Sequence, residues 1–282
     1  MRFWIWWGIS LVGVSSPGAE GILSLADSLY ACENYYEAIT EYHRYLFFNP
    51  RTDLTGYAWW RIGLAHRALG EWDRALESFR RAEEHARTDK ERDRYRVERA
   101  LLLMAQDRWE SAQVVLLRTA AFGGSPAVRK RAWFFLGVGY VNTFRWGEAE
   151  EAFRRCFDPE DPRWRQVRTL LERGRRLKFK SPHKARLLST FLPGLGQAYV
   201  GDWEAALNAL VLNGLTCYLW GKLAFERRYM NAAFWFLSLF WRYYRGNRFR
   251  VEKLVEARNF ELQRALAVKV LDALAQGGEE DE

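Results

Sequence analysis

The chain has 282 residues, 49% of them hydrophobic, 16% aromatic and 28% charged, with 14 Trp. That length and apolar content support one large domain or two smaller ones with a real core, and they exclude a disordered chain. Three Cys and four His lie scattered, without C-x-x-C or H-x-x-x-H spacing, which excludes a disulfide scaffold, a structural zinc site and most thiol-redox chemistry.

The formal net charge of +8 is unevenly placed. Glu20 to Asp161 holds 21 basic against 23 acidic residues, whereas Arg163 to Glu282 holds 21 against 12. Two modules with different surroundings follow from that asymmetry.

At the N-terminus, Met1-Arg2 precedes an apolar run from Phe3 to Val14 and then Ser15-Ser16-Pro17-Gly18-Ala19. One basic residue, a short apolar core and a small-residue exit predict a bacterial secretory signal peptide over 1–19. The run falls short of the ~17–25 residues of a membrane span. The alternative is an apolar first helix.

From residue 20 to 162 the sequence matches itself at a shift of 37. Ala38, Ala75, Ala112 and Ala149 share one column, and Tyr35, Trp72, Trp109 and Trp146 stand three residues before them. Tyr42, Phe79, Leu116 and Phe153 follow four residues later, and Ala26, Gly63, Ala100 and Gly137 precede by twelve. This is the helix–turn–helix grammar of the tetratricopeptide repeat, here about four helix pairs stacked as an α-solenoid. Small residues let paired helices approach, and the aromatic fills the wedge at the turn. Repeat three is the weakest, because Arg96 and Arg99 stand where Trp and Leu are expected.

The first helix of each pair should line the inner groove of such a solenoid. Its columns are Leu23, Trp60, Val97 and Phe134; Asp27, Leu64, Leu101 and Val138; and Tyr30, Arg67, Met104 and Val141. These are candidates for a groove that binds a protein or peptide. Their apolar character equally suits ordinary core between repeats.

Residues 163–186 read as a basic linker helix, with ten Lys and Arg against Glu172 alone. Arg173, Arg175, Arg176, Lys178, Lys180, Lys184 and Arg186 are candidate ligands of anionic lipid headgroups, since apolar segments follow at once. No nucleic-acid module accompanies the charge, so nucleic acid is not an expected partner.

Residues 187–247 predict a two-helix membrane domain. Ala205–Gly221 has 17 residues without a charge and Tyr229–Trp241 has 13, with Trp203, Trp220, Trp235 and Trp241 as an interfacial belt. A buried hairpin is the alternative, kept open by Asn208, Asn213 and Asn231. Pro193-Gly194-x-Gly196-Gln197-x-Tyr199-x-Gly201 lacks the G-K-[ST] ending of a phosphate loop, so its glycines read as helix breaks and close packing. An amphipathic helix and acidic tail complete the chain over 248–282. About 60–75% helix and no sheet are expected.

Together these features resemble a group of bacterial envelope proteins with a signal peptide, tetratricopeptide-like repeats and a C-terminal two-helix membrane domain. The resemblance rests on Leu25–Tyr30 with Tyr35–Tyr42, on Lys180-Ser181-Pro182, on Leu192–Gly201, on Leu212-Asn213 and on Gly246-Asn247. It implies that Pro193, Gly194, Gly196, Gln197, Tyr199, Gly201, Asn213, Gly246 and Asn247 form a membrane motif. Arg248 and Arg250 stand where the family would carry aliphatic residues.

The expected function is a membrane-tethered scaffold for protein–protein interaction, its repeats periplasmic and its hairpin in the inner membrane, the outer membrane being the alternative. The basic flanks of the hairpin argue the other way by the positive-inside rule. One alternative function is an accessory factor for membrane-protein or lipid handling through the hairpin. Another is a soluble all-helical repeat protein with a buried hairpin. No nucleophile–base pair, carboxylate pair or metal spacing points to an enzyme, a metal or a cofactor.

Overall fold

Eight helices make four hairpins at the spacing the repeat predicts. In the computed structural model, which describes residues 18–276, they are α1 (Ala19–Ala31) with α2 (Tyr35–Phe48), α3 (Thr55–Ala68) with α4 (Trp72–Glu84), α5 (Asp89–Ala105) with α6 (Trp109–Phe122), and α7 (Pro126–Asn142) with α8 (Trp146–Arg154). Then come α9 (Pro162–Arg175), α10 (Pro182–Phe191), α11 (Leu195–Val200), α12 (Trp203–Phe225) and α13 (Tyr229–Trp235). A π-helical stretch (Phe236–Phe240) joins α13 to α14 (Trp241–Ala275) without a break. Helix takes in 81% of the structure and no strand occurs among the described residues. That exceeds the expected fraction, because the turns are short and the last helix runs on. The signal peptide expected over 1–19 lies outside the described residues up to position 17, with Ala19 already the first residue of α1, and the acidic tail at 277–282 lies outside them as well.

Each hairpin turns in the same way. Glu33, Gly70, Asp107 and Phe144 all have left-handed φ, between 57° and 73°, at intervals of 37. The amide after each reaches back five residues: Asn34 to Leu29 O, Glu71 to His66 O, Arg108 to Leu103 O and Arg145 to Tyr140 O. This 6→1 bond is the Schellman termination, which satisfies carbonyls that the helix end would orphan. Chain direction is thus reversed over the three residues between paired helices, and the next aromatic is buried at Trp146, half-buried at Tyr35 and Trp109, and exposed at Trp72.

Close approach follows. A β-carbon added at Gly63 would sit 2.6 Å from the Phe79 ring, and one at Gly137 2.6 Å from that of Phe153. Ala26, Ala38, Ala75, Ala100, Ala112 and Ala149 are all buried. Repeat three lacks the apolar pair but is held by charge. Arg99 donates to both carboxylate oxygens of Glu83 (2.5 and 3.2 Å), and Arg96 donates to Asp93 at 3.0 Å. Asp93 also accepts from the Gly124 amide at 2.8 Å.

The chain forms two compact units. The first runs to Gly139 and includes Glu151–Cys156; the second is Tyr140–Glu150 with everything from Phe157 onward. The expected boundary at 162 is therefore displaced. Within the second unit, Gly174 of α9 lies under the Trp146 ring, 2.5 Å from an added β-carbon, and Phe144 meets Phe260 of α14 edge-on. Gly174 stands 37 residues after Gly137, and Leu171 stands 37 after Phe134. Thus α9 keeps the repeat phase.

Three expectations for the back half are corrected. Residues 163–186 are no single linker helix: α9 and α10 are separate, and Trp164, Val167, Leu171 and Gly174 of α9 are buried. Gly246-Asn247 is no boundary, because both lie inside α14. No helix among the described residues is long and apolar enough to cross a membrane. Helix α12 has the length, ~34 Å at ~1.5 Å per residue, but Glu204, Asn208, Asn213 and Lys222 lower its mean hydropathy.

Cys32, Cys156 and Cys217 are all thiols. Packing at the glycines is directly testable. Gly137→Leu should lose ~1–3 kcal/mol or more in thermal unfolding through overpacking. Gly214→Ala, with nothing within 4 Å of its added β-carbon, should be neutral or gain up to ~1 kcal/mol. Equal melting of both variants would disprove the register.

Candidate functional site

The first-helix columns close on themselves. Leu23, Trp60, Leu64, Val97, Met104 and Val141 are buried, and Asp27, Tyr30, Arg67, Leu101, Phe134 and Val138 are buried or half-buried. Half of the column residues are therefore packed inside the fold, whereas Leu23 and Asp27 also line an open surface cavity with Glu20, Ser24, Ser28 and Ala31. The apolar members are core between repeats, and the polar ones pair with neighbouring helices.

That pairing is specific. Asp27 Oδ1 accepts from Tyr42 Oη at 2.5 Å, Tyr57 Oη at 2.9 Å and Arg61 Nε at 3.0 Å. Arg61 also lies 3.9 Å above the Tyr30 ring. One carboxylate thereby ties the first hairpin to α3. Further along, Glu98 takes Arg67 on one oxygen (3.0 Å) and Arg131 on the other (3.4 Å), linking α3, α5 and α7. Trp60 stacks on Tyr95, with Arg94 over its face at 4.2 Å. Charge-assisted bonds of this kind are the stronger class.

The phenols register this environment. Burial first, then donation to Asp27, pushes Tyr57 up to about 12 and Tyr42 higher still; burial pushes Tyr95 up to about 12. The folded state thus favours neutral phenol. Its contribution to stability is whole below pH 10 and lost as pH rises toward about 12. Phenolate absorbance should show late-titrating tyrosines, with unfolding in that window. Tyr57→Phe should remove one of them. Titration of every tyrosine near pH 10 in the folded protein would contradict the network.

In the second unit the Pro193–Gly201 segment is a packed corner. Gly194 has φ 104° at the start of α11, with the Ala206 carbonyl 2.5 Å from any added β-carbon. Gly201 has φ 95° at its end, and Asp202 N returns to Gln197 O at 3.0 Å. An added β-carbon on Gly196 would collide with Ser189 Oγ and Ala185 O, and its amide donates to Ser189 Oγ. Gln197 is buried and accepts from Ser189 Oγ at 3.4 Å. Tyr199 Oη accepts from the Ser181 amide at 3.3 Å, and Pro193 is half-buried between α10 and α11. The side chain of Asn247 lies outside the described residues.

The sequence Gly201-Asp202-Trp203-x2-Ala206 repeats the turn grammar of Gly70-Glu71-Trp72-x2-Ala75. Arg227-Arg228-Tyr229-x2-Ala232 repeats it again, with left-handed Arg227 and Arg228 N bonded to Leu223 O. Ala206 and Ala232 are buried like their counterparts. A fixed 37-residue period does not contain this signal; the aromatic-x2-Ala spacing alone carries it.

The seven headgroup candidates divide. Arg175 pairs with Glu150 (3.1 Å) and Arg186 with Glu252 (3.0 Å). Lys180 Nζ donates to Tyr199 O at 2.5 Å, and Asn259 clamps the Lys180 backbone at both N and O. Arg173, Arg176, Lys178 and Lys184 are exposed and make no ion pair with a described residue. A cavity of about 760 Å³ opens instead between α11, α12 and α14, lined among others by Gln197, Asn208, Asn213, Arg242, Gly246 and Arg250. Asn213 and Gly246 of the expected motif thus meet there with Gln197. No cluster that could hold a metal ion occurs among the described residues.

Comparison with known families bears on the repeats. Residues 56–89 match the tetratricopeptide repeat family. This stretch is α3 with α4 and the turn that follows, the second pair of the sequence reading. Among solved structures, the chain is similar to one titled "Crystal structure of MamA protein", at 18% identity and a TM-score of 0.46, over 68% of this chain and 91% of that one. No curated protein matches. The fold is an all-helical, tetratricopeptide-like solenoid.

Proposed function

We propose that the protein is a membrane-tethered repeat scaffold that holds a protein partner in the bacterial envelope. Tetratricopeptide-like solenoids present stacked helices to protein or peptide partners, and nothing in the described repeats resembles a reaction centre. Large apolar residues stand exposed on the second helices of the repeats, among them Phe47, Val114 and Phe122.

The observation that carries the tether is the inverted pattern of α12. This 23-residue helix buries only Ala206, Asn213 and Thr216. Its large residues, Leu207, Leu210, Val211, Leu215 and Tyr218, face outward. Small and polar residues inside with large apolar ones outside is the arrangement that a lipid surround favours and water opposes. Trp203, Tyr229, Met230, Phe234, Leu237 and Trp241 extend the apolar surface. The same exposure disfavours the buried-hairpin alternative. The helices rest in the membrane without a complete crossing, and the signal peptide delivers the repeats to the periplasm. Lipid or membrane-protein handling by the second unit is the second reading, favoured by the cavity beside α12.

Flotation of the full chain with vesicles, and co-purification of partners from membranes in mild detergent, test this reading. The protein should float. The double substitution Leu207→Glu with Val211→Glu should abolish flotation while the repeats melt as before. A protein that stays with the aqueous fraction in every lipid mixture would overturn the tether. Flotation with no partner retained by the repeats would favour the lipid-handling reading.

A further inference from the structure

We propose that the cavity between α11, α12 and α14 binds the phosphate headgroup of an anionic phospholipid, gripped by Arg242 and Arg250. This inference rests on the membrane reading above and adds the ligand, the site and its residues.

Arg242, Gly246, Arg250 and Leu254 recur every four residues on α14, and all four line the cavity. They form one stripe of the helix, since a turn takes ~3.6 residues. The two arginines stand ~12 Å apart along the axis. Gly246 lies midway, and nothing comes within 4 Å of a β-carbon added there. The helix surface between the two arginines is therefore open. Neither Arg242 nor Arg250 makes an ion pair with a described residue, although both are exposed beside the cavity. Of the lining residues only Asp202 is acidic, and its Oδ1 already accepts from the Ala205 amide at 2.9 Å. The cavity thus carries a positive surplus with forked donors that suit a phosphate.

Two further features separate a lipid from a bare anion. Asn213 is 5% exposed and its Oδ1 has no partner, while its Nδ2 donates to Ala209 O at 2.7 Å. A buried acceptor of this kind is costly to leave unpaired, and a headgroup hydroxyl or amine supplies the missing donor. Leu212 lines the cavity yet stays 45% exposed, and Leu215, three residues on, is 53% exposed. Acyl chains leaving the headgroup have an apolar track along them. A phosphate with a donor-bearing headgroup and apolar chains matches all three features; a second copy of this chain would bring its own arginines to the same polar mouth.

The test uses the full chain in mild detergent and in vesicles. Wild type should float with phosphatidylglycerol-containing phosphatidylcholine vesicles and release phosphatidylglycerol on denaturation in mass spectrometry. Arg242→Gln with Arg250→Gln should weaken binding at least ~10-fold. Gly246→Leu should do so without touching a charge, and its melting temperature should not fall, since that position is open and helical. Neutralising Arg173, Arg176, Lys178 and Lys184 together should have less effect. Equal flotation of wild type and both cavity variants would overturn this site and leave the membrane reading standing. No flotation of wild type would overturn both. Competition by inorganic phosphate, with no lipid retained, would make the site one for free phosphate and overturn the lipid assignment.

Discussion

The distance at which two helices can cross governs both units. Where Gly63 faces Phe79 and Gly137 faces Phe153, no β-carbon fits, so the ring of one helix lies directly on the backbone of the other. Gly174 under Trp146 and Gly196 against Ser189 and Ala185 apply the same rule in the second unit. A methyl group at such a crossing forces the helices apart, and close-packed interiors transmit that displacement. The left-handed turn residues at 33, 70, 107 and 144 set the angle at which each pair returns. Close approach and three-residue reversal together fix the hairpin, and stacking hairpins fixes the solenoid.

Once the hairpins stack, their first helices have little surface to spare. Asp27 ties Tyr42, Tyr57 and Arg61 together, and Glu98 holds Arg67 and Arg131. Such ion pairs in partial burial specify which helix meets which more than they stabilise. The first helices are thereby committed to the fold itself. On α12 and α13, by contrast, residues of core type point outward.

The repeat was legible because a solenoid writes its packing into the sequence at a fixed interval. Ala38, Ala75, Ala112 and Ala149 each occupy one contact, so one shift aligns them all. Burial of the first-helix columns was not legible, because an apolar groove and an apolar core use the same residues; Val97 and Val141 look alike in either. The back half misled for a physical reason too. Residues 205–221 are apolar enough to suggest a span, but hydropathy does not reveal which side of a helix packs, and only the burial of Asn213 and Thr216 does. Gly246-Asn247 read as the end of the hairpin domain, yet α14 passes through both, and nothing lies within 4 Å of a β-carbon added at Gly246. Arg250, in sequence only a departure from an aliphatic position, lines the cavity.

The central claim is that the second unit meets lipid while the repeats do not. Two native thiols report on it directly: Cys217 is exposed on α12 and Cys32 is exposed at the end of the first repeat helix. Each is labelled alone with an environment-sensitive fluorophore, after the other two cysteines are changed to serine, and the full chain is mixed with vesicles containing brominated acyl chains. The account predicts strong quenching at Cys217 and none at Cys32. Quenching at Cys32, or none at Cys217 in vesicles that bind the protein, would contradict it.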